Sequence, residues 1–271
     1  MINFASTTID YIYIFFSLIS KKQKQMPHKI LNIIHKAHKR GEKLFAVLID
    51  PEKCNGSRLT AFVRLTEKAK PDFIFIGGSQ IKESIDQTVR YIKSHSSIPT
   101  VLFIGDAVQF SPNADAMLFL SLISGRNPDL LIGQHVLSAR AIRQSGIQTI
   151  PTGYILVDGG TPTAVETVSG TQPLSDPQTI LSTAIAGEML GQQLIYLEAG
   201  SGAKTPVKHD IISAVRANTE IPLIVGGGIR SIAMLDDAIS AGADIIVVGN
   251  HLENHPEDMI PFAKFIKGSG K

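Results

Sequence analysis

Residues 223–250 read LIVGGGIRSIAMLDDAISAGADIIVVGN and contain one whole structural unit. Leu223–Val225 is a short apolar run, Gly226-Gly227-Gly228 a turn, Ser231–Ala241 has amphipathic helical spacing, and Gly242 suits a left-handed helix stop. A second β-branched run, Ile245–Val248, follows and ends in Gly249-Asn250. Working outward, the same rhythm recurs at Leu44–Ile49, Phe73–Ile76, Thr100–Ile104, Ala116–Leu120, Gly153–Val157 and Leu194–Leu197. These eight runs are continuous rather than alternating, as parallel strands covered on both faces require. Helical spacing falls between them at Arg58–Ala69, Ile81–Ser94, Ile132–Ser145, Gln178–Leu190 and Lys208–Ala217, and after the last at Pro256–Ile266. The pattern predicts an α/β fold, a (β/α)8 TIM barrel rather than an open doubly wound sheet.

Two units depart from the rhythm. Only GDAVQFSPNAD (Gly105–Asp115) separates the third and fourth strands, whereas a crossover helix needs about a dozen residues plus its turns. The third helix is therefore expected to be absent, leaving a gap in the wall for a long apolar ligand. After strand five, DGGTPTAVETVSGTQPLSDP (Asp158–Pro177) is long and rich in Gly, Thr, Ser and Pro. At the C-terminal rim of a barrel such a loop is expected to serve as a lid or binding loop.

Composition narrows the partners. With 44% hydrophobic and 18% charged residues the 271-residue chain is no disordered polymer. Twenty-six Lys and Arg against 24 Asp and Glu leave a net charge of +2, too little for a nucleic-acid binder built on phosphate neutralisation. The single cysteine, Cys54, excludes an intrachain disulfide and a cysteine zinc site, so a cytoplasmic location is expected. Tyr11–Ile19 (YIYIFFSLI) is apolar but shorter than the ~20 residues of a membrane span, and Lys21, Lys22 and Lys24 follow it where a signal peptide would have them first. Residues 1–28 are thus expected to be an extension, with Met26 as an alternative start, and 29–271 a single barrel domain.

Chemistry-bearing residues gather at predicted strand ends. Glycines at 226–228 and Gly249-Asn250 let backbone N–H groups approach an anion, which suggests a phosphate site. Gly200-Ser201-Gly202 adds donors beside it, and Glu198, at the tip of strand six, is suited to orient or deprotonate a substrate hydroxyl. Across the mouth, Asp50 ends strand one and Ser79 follows strand two. One carboxylate and one hydroxyl are a thin shell for Mg²⁺, which is normally completed by water and substrate phosphates. Asp50 also reads as a turn cap before Pro51, and Lys53 as an anion partner or a solvated charge. His251 and His255 suggest no transition-metal cluster.

The set FAVLIDPEK (Phe45–Lys53), FIFIGGS (Phe73–Ser79), YLEAGSGA (Tyr196–Ala203), VGGGIRS (Val225–Ser231) and VVGN (Val247–Asn250) resembles the geranylgeranylglyceryl phosphate synthase family. The resemblance covers Ala37 to Ile266, and VDGGTPTAVETVSGTQPL looks like the second of that family's two groups. It implies a modified TIM barrel without its third helix, and transfer of the prenyl group of geranylgeranyl diphosphate to the 3-hydroxyl of sn-glycerol 1-phosphate, with Mg²⁺ and release of diphosphate. It further implies that Asp50 and Ser79 hold the metal. Tyr196, Leu197, Glu198, Ala199, Gly200, Ser201, Gly202, Gly226, Gly227, Gly228, Gly249 and Asn250 would form the glycerol phosphate site. Some members carry a lysine just before the aspartate; here Ala46-Val47-Leu48 stands there, so no such contact is expected. A homo-oligomer, dimer or hexamer, is implied too, and a lipid product makes transient membrane contact an expectation. Two rivals remain: an Amadori-type sugar-phosphate isomerase using Asp50 and Asp158 as acid and base, and a non-catalytic phosphate-ligand-binding barrel. The isomerase would want a second glycine turn after strand three, where Phe103-Ile104-Gly105-Asp106 stands instead.

Overall fold

Alternation along each strand sorts its side chains between two cores. In the computed structural model, which describes residues 29–78, 85–105 and 110–270, Ala46, Phe73, Phe75, Tyr196 and Ile224 fill the inside of a barrel. Their neighbours Phe45, Val47, Ile74, Ile76 and Leu197 face outward against helices. Burial on both faces is why the strands read as unbroken apolar runs. The strands are β1 (Leu44–Ile49), β2 (Phe73–Ile76), β3 (Thr100–Leu102), β4 (Ala116–Leu122), β5 (Gln148–Leu156), β6 (Leu194–Glu198), β7 (Leu223–Gly226) and β8 (Ile245–Val248). All pair in parallel and in chain order, and β8 returns to β1 with Leu44 opposite Ile245 to close the barrel.

The helices in chain order are α1 (Lys29–Arg40), α2 (Gly56–Ala69), α3 (Ile85–His95), α4 (Gln134–Ser145), α5 (Ala164–Ser169), α6 (Pro177–Met189), α7 (His209–Asn218), α8 (Ile232–Ser240), α9 (Asn250–Asn254) and α10 (Met259–Gly268). Helix α1, which the strand–helix rhythm does not predict, belongs with the barrel interior. Ile30, Ile34 and Ala37 share one helical face, are buried with the inward strand residues, and the Ile30 amide donates to Gln148 Oε1 at 3.0 Å. It therefore plugs the end of the barrel at which β5 begins.

Between β3 and β4 the described residues form no helix, as expected. The mark of that gap is on β4: Phe119, Leu120 and Ser121 are only partly buried, while every residue of β2, β6, β7 and β8 is buried. Strand β5 starts earlier than its sequence suggests because Pro151 sits inside it. The Pro151 carbonyl accepts the Gln193 amide at 2.8 Å, just before β6 begins. The missing proline N–H thus falls at a margin of the ladder and costs little. The expected N-terminal extension, Ser79 and part of the Gly105–Asp115 connector lie outside the described residues.

Candidate active site

Glu198 is the last residue of β6, opposite Gly226 of β7 and Leu156 of β5. Inward parity and neighbours on both sides leave it 6% exposed. Burial raises its carboxyl to about 7, against the opposing pull of the Tyr196 hydroxyl and the Gly200 amide. The Gly200 amide donates to Glu198 Oε1 at 2.8 Å. Beneath it the Tyr196 hydroxyl is buried and has no well-formed hydrogen bond among the described residues. Gly227 closes the β7 turn onto this carboxylate with φ +84°; a Cβ there would lie 2.5 Å from Glu198 Oε1 and 2.6 Å from the Gly200 nitrogen. Only glycine permits both the backbone angle and the approach.

Glu198 opens into a cavity of ≈ 580 Å³ at the C-terminal rim. It is lined by Ser201, Gly202, Gly227, Gly228, Gly249 and Asn250, and also by Asp50, Lys53, Gly78 and Glu253. The structure therefore brings together seven of the expected substrate-site residues, Glu198 among them, and puts Asp50 in the same cavity at the end of β1, next to β8. Tyr196, Leu197, Ala199, Gly200 and Gly226 do not line the cavity. Tyr196 lies below the carboxylate, Leu197 faces the helical layer by strand alternation, and Gly200 serves the Glu198 carboxylate. Helix α8, which follows the triple glycine, is capped by its own Ser231, whose Oγ accepts the Met234 amide; the short α9 begins at the cavity itself, at Asn250.

Asp50 is both turn cap and cation partner. Its carbonyl accepts the Lys53 and Cys54 amides at 3.1 and 2.8 Å, and Oδ1 accepts the Glu52 amide at 3.1 Å. Oδ2 lies 3.1 Å from the Lys53 ammonium, and the Asp50 amide donates to Glu253 Oε1 at 3.3 Å. Glu253 is pushed up by burial and by the neighbouring Asp50 charge, with Lys53 opposing. No three His, Cys, Asp or Glu side chains gather as a metal cage among the described residues. The ammonium on Oδ2 nonetheless marks a place for positive charge, so the site fits a divalent ion held by one carboxylate and completed by water and substrate. His251 and His255 also line the cavity, but the His251 Nε2 is engaged by Asp258 Oδ2 at 2.7 Å.

A second cavity of ≈ 320 Å³ runs along β4, lined by Ile104, Met117, Leu118, Phe119, Leu120, Leu130 and His135. The two cavities share Gly78, Phe103, Tyr154 and Val165. At this junction the rings of Phe103, Tyr154 and Tyr196 stand 5.3–6.0 Å apart. Burial, with the nearby Glu198 charge adding to it, holds both phenols well above 10, so they stay neutral. Val165 comes from α5, inside the long loop after β5, where a capping box of Thr163 and Glu166 starts the helix. Sequence reading missed Phe103, Tyr154, Val165 and Glu253. Tyr154 comes to the site through its register opposite Tyr196, which only the folded sheet fixes. Asp158, by contrast, lines neither cavity and accepts the Gly160 amide at 2.8 Å.

Known proteins resemble this chain in sequence and in fold. The family model described as the PcrB family matches residues 37–267. A geranylgeranylglyceryl phosphate synthase of Chitinophaga pinensis is 49% identical over 231 residues, spanning 84% of this chain and 92% of its own. One from Korarchaeum cryptofilum is 38% identical over 226 residues, spanning 82% and 93%. A crystal structure of (S)-3-O-geranylgeranylglyceryl phosphate synthase from Thermoplasma acidophilum, in complex with its substrate sn-glycerol-1-phosphate, superposes with a TM-score of 0.83 at 32% identity, covering 88% of this chain and 98% of that one. Since the family match spans all eight strands and every described site residue, this chain belongs to the PcrB family.

Proposed function

We propose that the protein joins geranylgeranyl diphosphate to the 3-hydroxyl of sn-glycerol 1-phosphate, releasing diphosphate and giving geranylgeranylglyceryl phosphate. The observation that carries this reading is the meeting of two unlike cavities at Phe103 and Tyr154, one with a buried carboxylate and charged lining, the other apolar along β4, where the described residues after β3 form no helix. The likeness to synthases of known name over most of the chain supports it independently.

In this reading backbone amides around Gly227, Gly228, Gly249 and Gly202 hold the glycerol phosphate, leaving its 3-hydroxyl at Glu198. The isoprenoid lies along β4, which puts its C1 at the aromatic junction and its diphosphate toward Asp50. Asp50, with Ser79 outside the described residues, would hold Mg²⁺, which would neutralise charge on the leaving diphosphate. The C1–O bond breaks with its electron pair leaving on diphosphate, the glycerol oxygen bonds to C1, and its proton passes to Glu198. Phe103 and Tyr154, the rings that line both cavities, keep water from the allylic centre, with Tyr196 packed behind them.

The enzyme acts in the cytoplasm in this account; among the described residues no helix is long and apolar enough to cross a membrane. It also acts as a homo-oligomer, for which Ile132, Val136 and Leu137 offer exposed apolar surface. The isomerase alternative loses ground because Asp158 is spent on a turn away from the cavity. Incubation with labelled geranylgeranyl diphosphate and sn-glycerol 1-phosphate tests the proposal. An organic-soluble ether phosphate is expected; no product with both substrates at saturation contradicts it.

A further inference from the structure

Asp50 and Lys53 line the same cavity, and Lys53 provides the one ion pair that Asp50 makes among the described residues. The pair is unequal. The Asp50 side chain is 16% exposed and fixed at both ends, its Oδ1 by the Glu52 amide and its backbone by Glu253. The Lys53 side chain is 52% exposed, and its backbone is anchored on the turn by the Asp50 carbonyl. The ammonium can therefore leave Oδ2 by side-chain rotation alone. A divalent ion placed on Asp50 needs that oxygen, and two cations sharing it repel strongly at such distances. A displaced ammonium on so short a turn stays in the cavity, where a diphosphate is the strongest available anion.

We propose that Lys53 is a diphosphate-binding residue parked on Asp50 in the substrate-free protein, and that ammonium and divalent cation exchange there as the prenyl diphosphate enters. The idea rests on the reading of Asp50 as the cation site. Lys53 thereby couples the two binding events: it opposes the cation alone and favours cation and diphosphate together.

The test uses the full chain, Mn²⁺ followed by electron paramagnetic resonance, and inorganic pyrophosphate followed by calorimetry. Lys53→Met is expected to bind Mn²⁺ alone about two- to fivefold more tightly, the range of a partly exposed ion pair. The same variant should bind pyrophosphate about tenfold more weakly when Mn²⁺ is present, as loss of a charged hydrogen bond predicts, and lose less without Mn²⁺, when the ammonium is still held by Asp50. Lys53→Arg should restore most of the pyrophosphate affinity, and sn-glycerol 1-phosphate should bind all three proteins alike. Unchanged or weaker Mn²⁺ binding in Lys53→Met, or unchanged pyrophosphate binding with Mn²⁺ present, overturns the proposal. Asp50→Asn separates the underlying reading: if it binds Mn²⁺ like the wild type, Asp50 is no cation site and the exchange falls with it. If Asp50→Asn loses Mn²⁺ while Lys53→Met changes nothing, the cation site stands and Lys53 alone is dismissed.

Discussion

Glu198 owes its basicity to the place where its strand ends. Its carboxyl is raised to about 7, so near neutral pH it is partly protonated and only the ionised fraction can take a proton. We expect kcat/KM to rise with pH through about 7, and Glu198→Gln to lose both that limb and about 10²–10⁴-fold in turnover while still binding glycerol phosphate. Unchanged turnover in the variant removes Glu198 from the chemistry. The same shift acts on folding. A carboxyl whose folded value lies above its unfolded value of 4.5 contributes stability in full below pH 4.5 and loses it as pH rises through about 7. Relative to Glu198→Gln, the wild type should therefore weaken between pH 4.5 and 7, by at most on the order of 3 kcal/mol, in denaturant titrations across that range. Glu198, Asp50 and the glycines were legible in the sequence because each stands at the end of an apolar run, where a barrel puts its rim. Tyr154 and Phe103 were not, because which face a strand residue takes depends on register.

At the scale of elements, β1, β2 and β8 could be read residue for residue, since turn or loop residues bound their apolar runs on both sides. Helix α1 was invisible: its apolar face resembles any connector, and only the closed barrel shows that it fills an end. Ile34→Ala should accordingly cost about 2–5 kcal/mol in urea denaturation, as truncation of a buried core side chain does. A cost below half a kcal/mol contradicts the plug. That the described residues between β3 and β4 form no helix was legible from chain length alone, whereas the short α5 was hidden in a loop of turn-forming residues. Val168 of α5 lines only the apolar cavity and is half exposed, so the fold should tolerate Val168→Asp. A carboxylate against the isoprenoid is expected to raise KM for the prenyl diphosphate about tenfold and leave KM for glycerol phosphate unchanged. Equal effects on both substrates place the isoprenoid elsewhere.

Across the whole molecule the barrel separates two chemistries and then joins them. Glycine-rich turns after β6, β7 and β8 supply amide donors, the β1 aspartate stands beside β8, and the apolar cavity between β4 and the residues that start α4 provides an oily channel. Bringing a charged phosphate and a water-shunning chain to one carbon atom requires that these surfaces meet at a single junction, and they do so at Phe103 and Tyr154. The decisive measurement is a crystal structure of the protein with sn-glycerol 1-phosphate and a slowly reacting thio-analogue of geranylgeranyl diphosphate. The account predicts the phosphate on the backbone around Gly227 and Gly249, the 3-hydroxyl in hydrogen-bond reach of Glu198, and the isoprenoid along β4 with C1 beside Tyr154. An isoprenoid bound away from β4, or a glycerol phosphate away from Gly227 and Gly249, contradicts it.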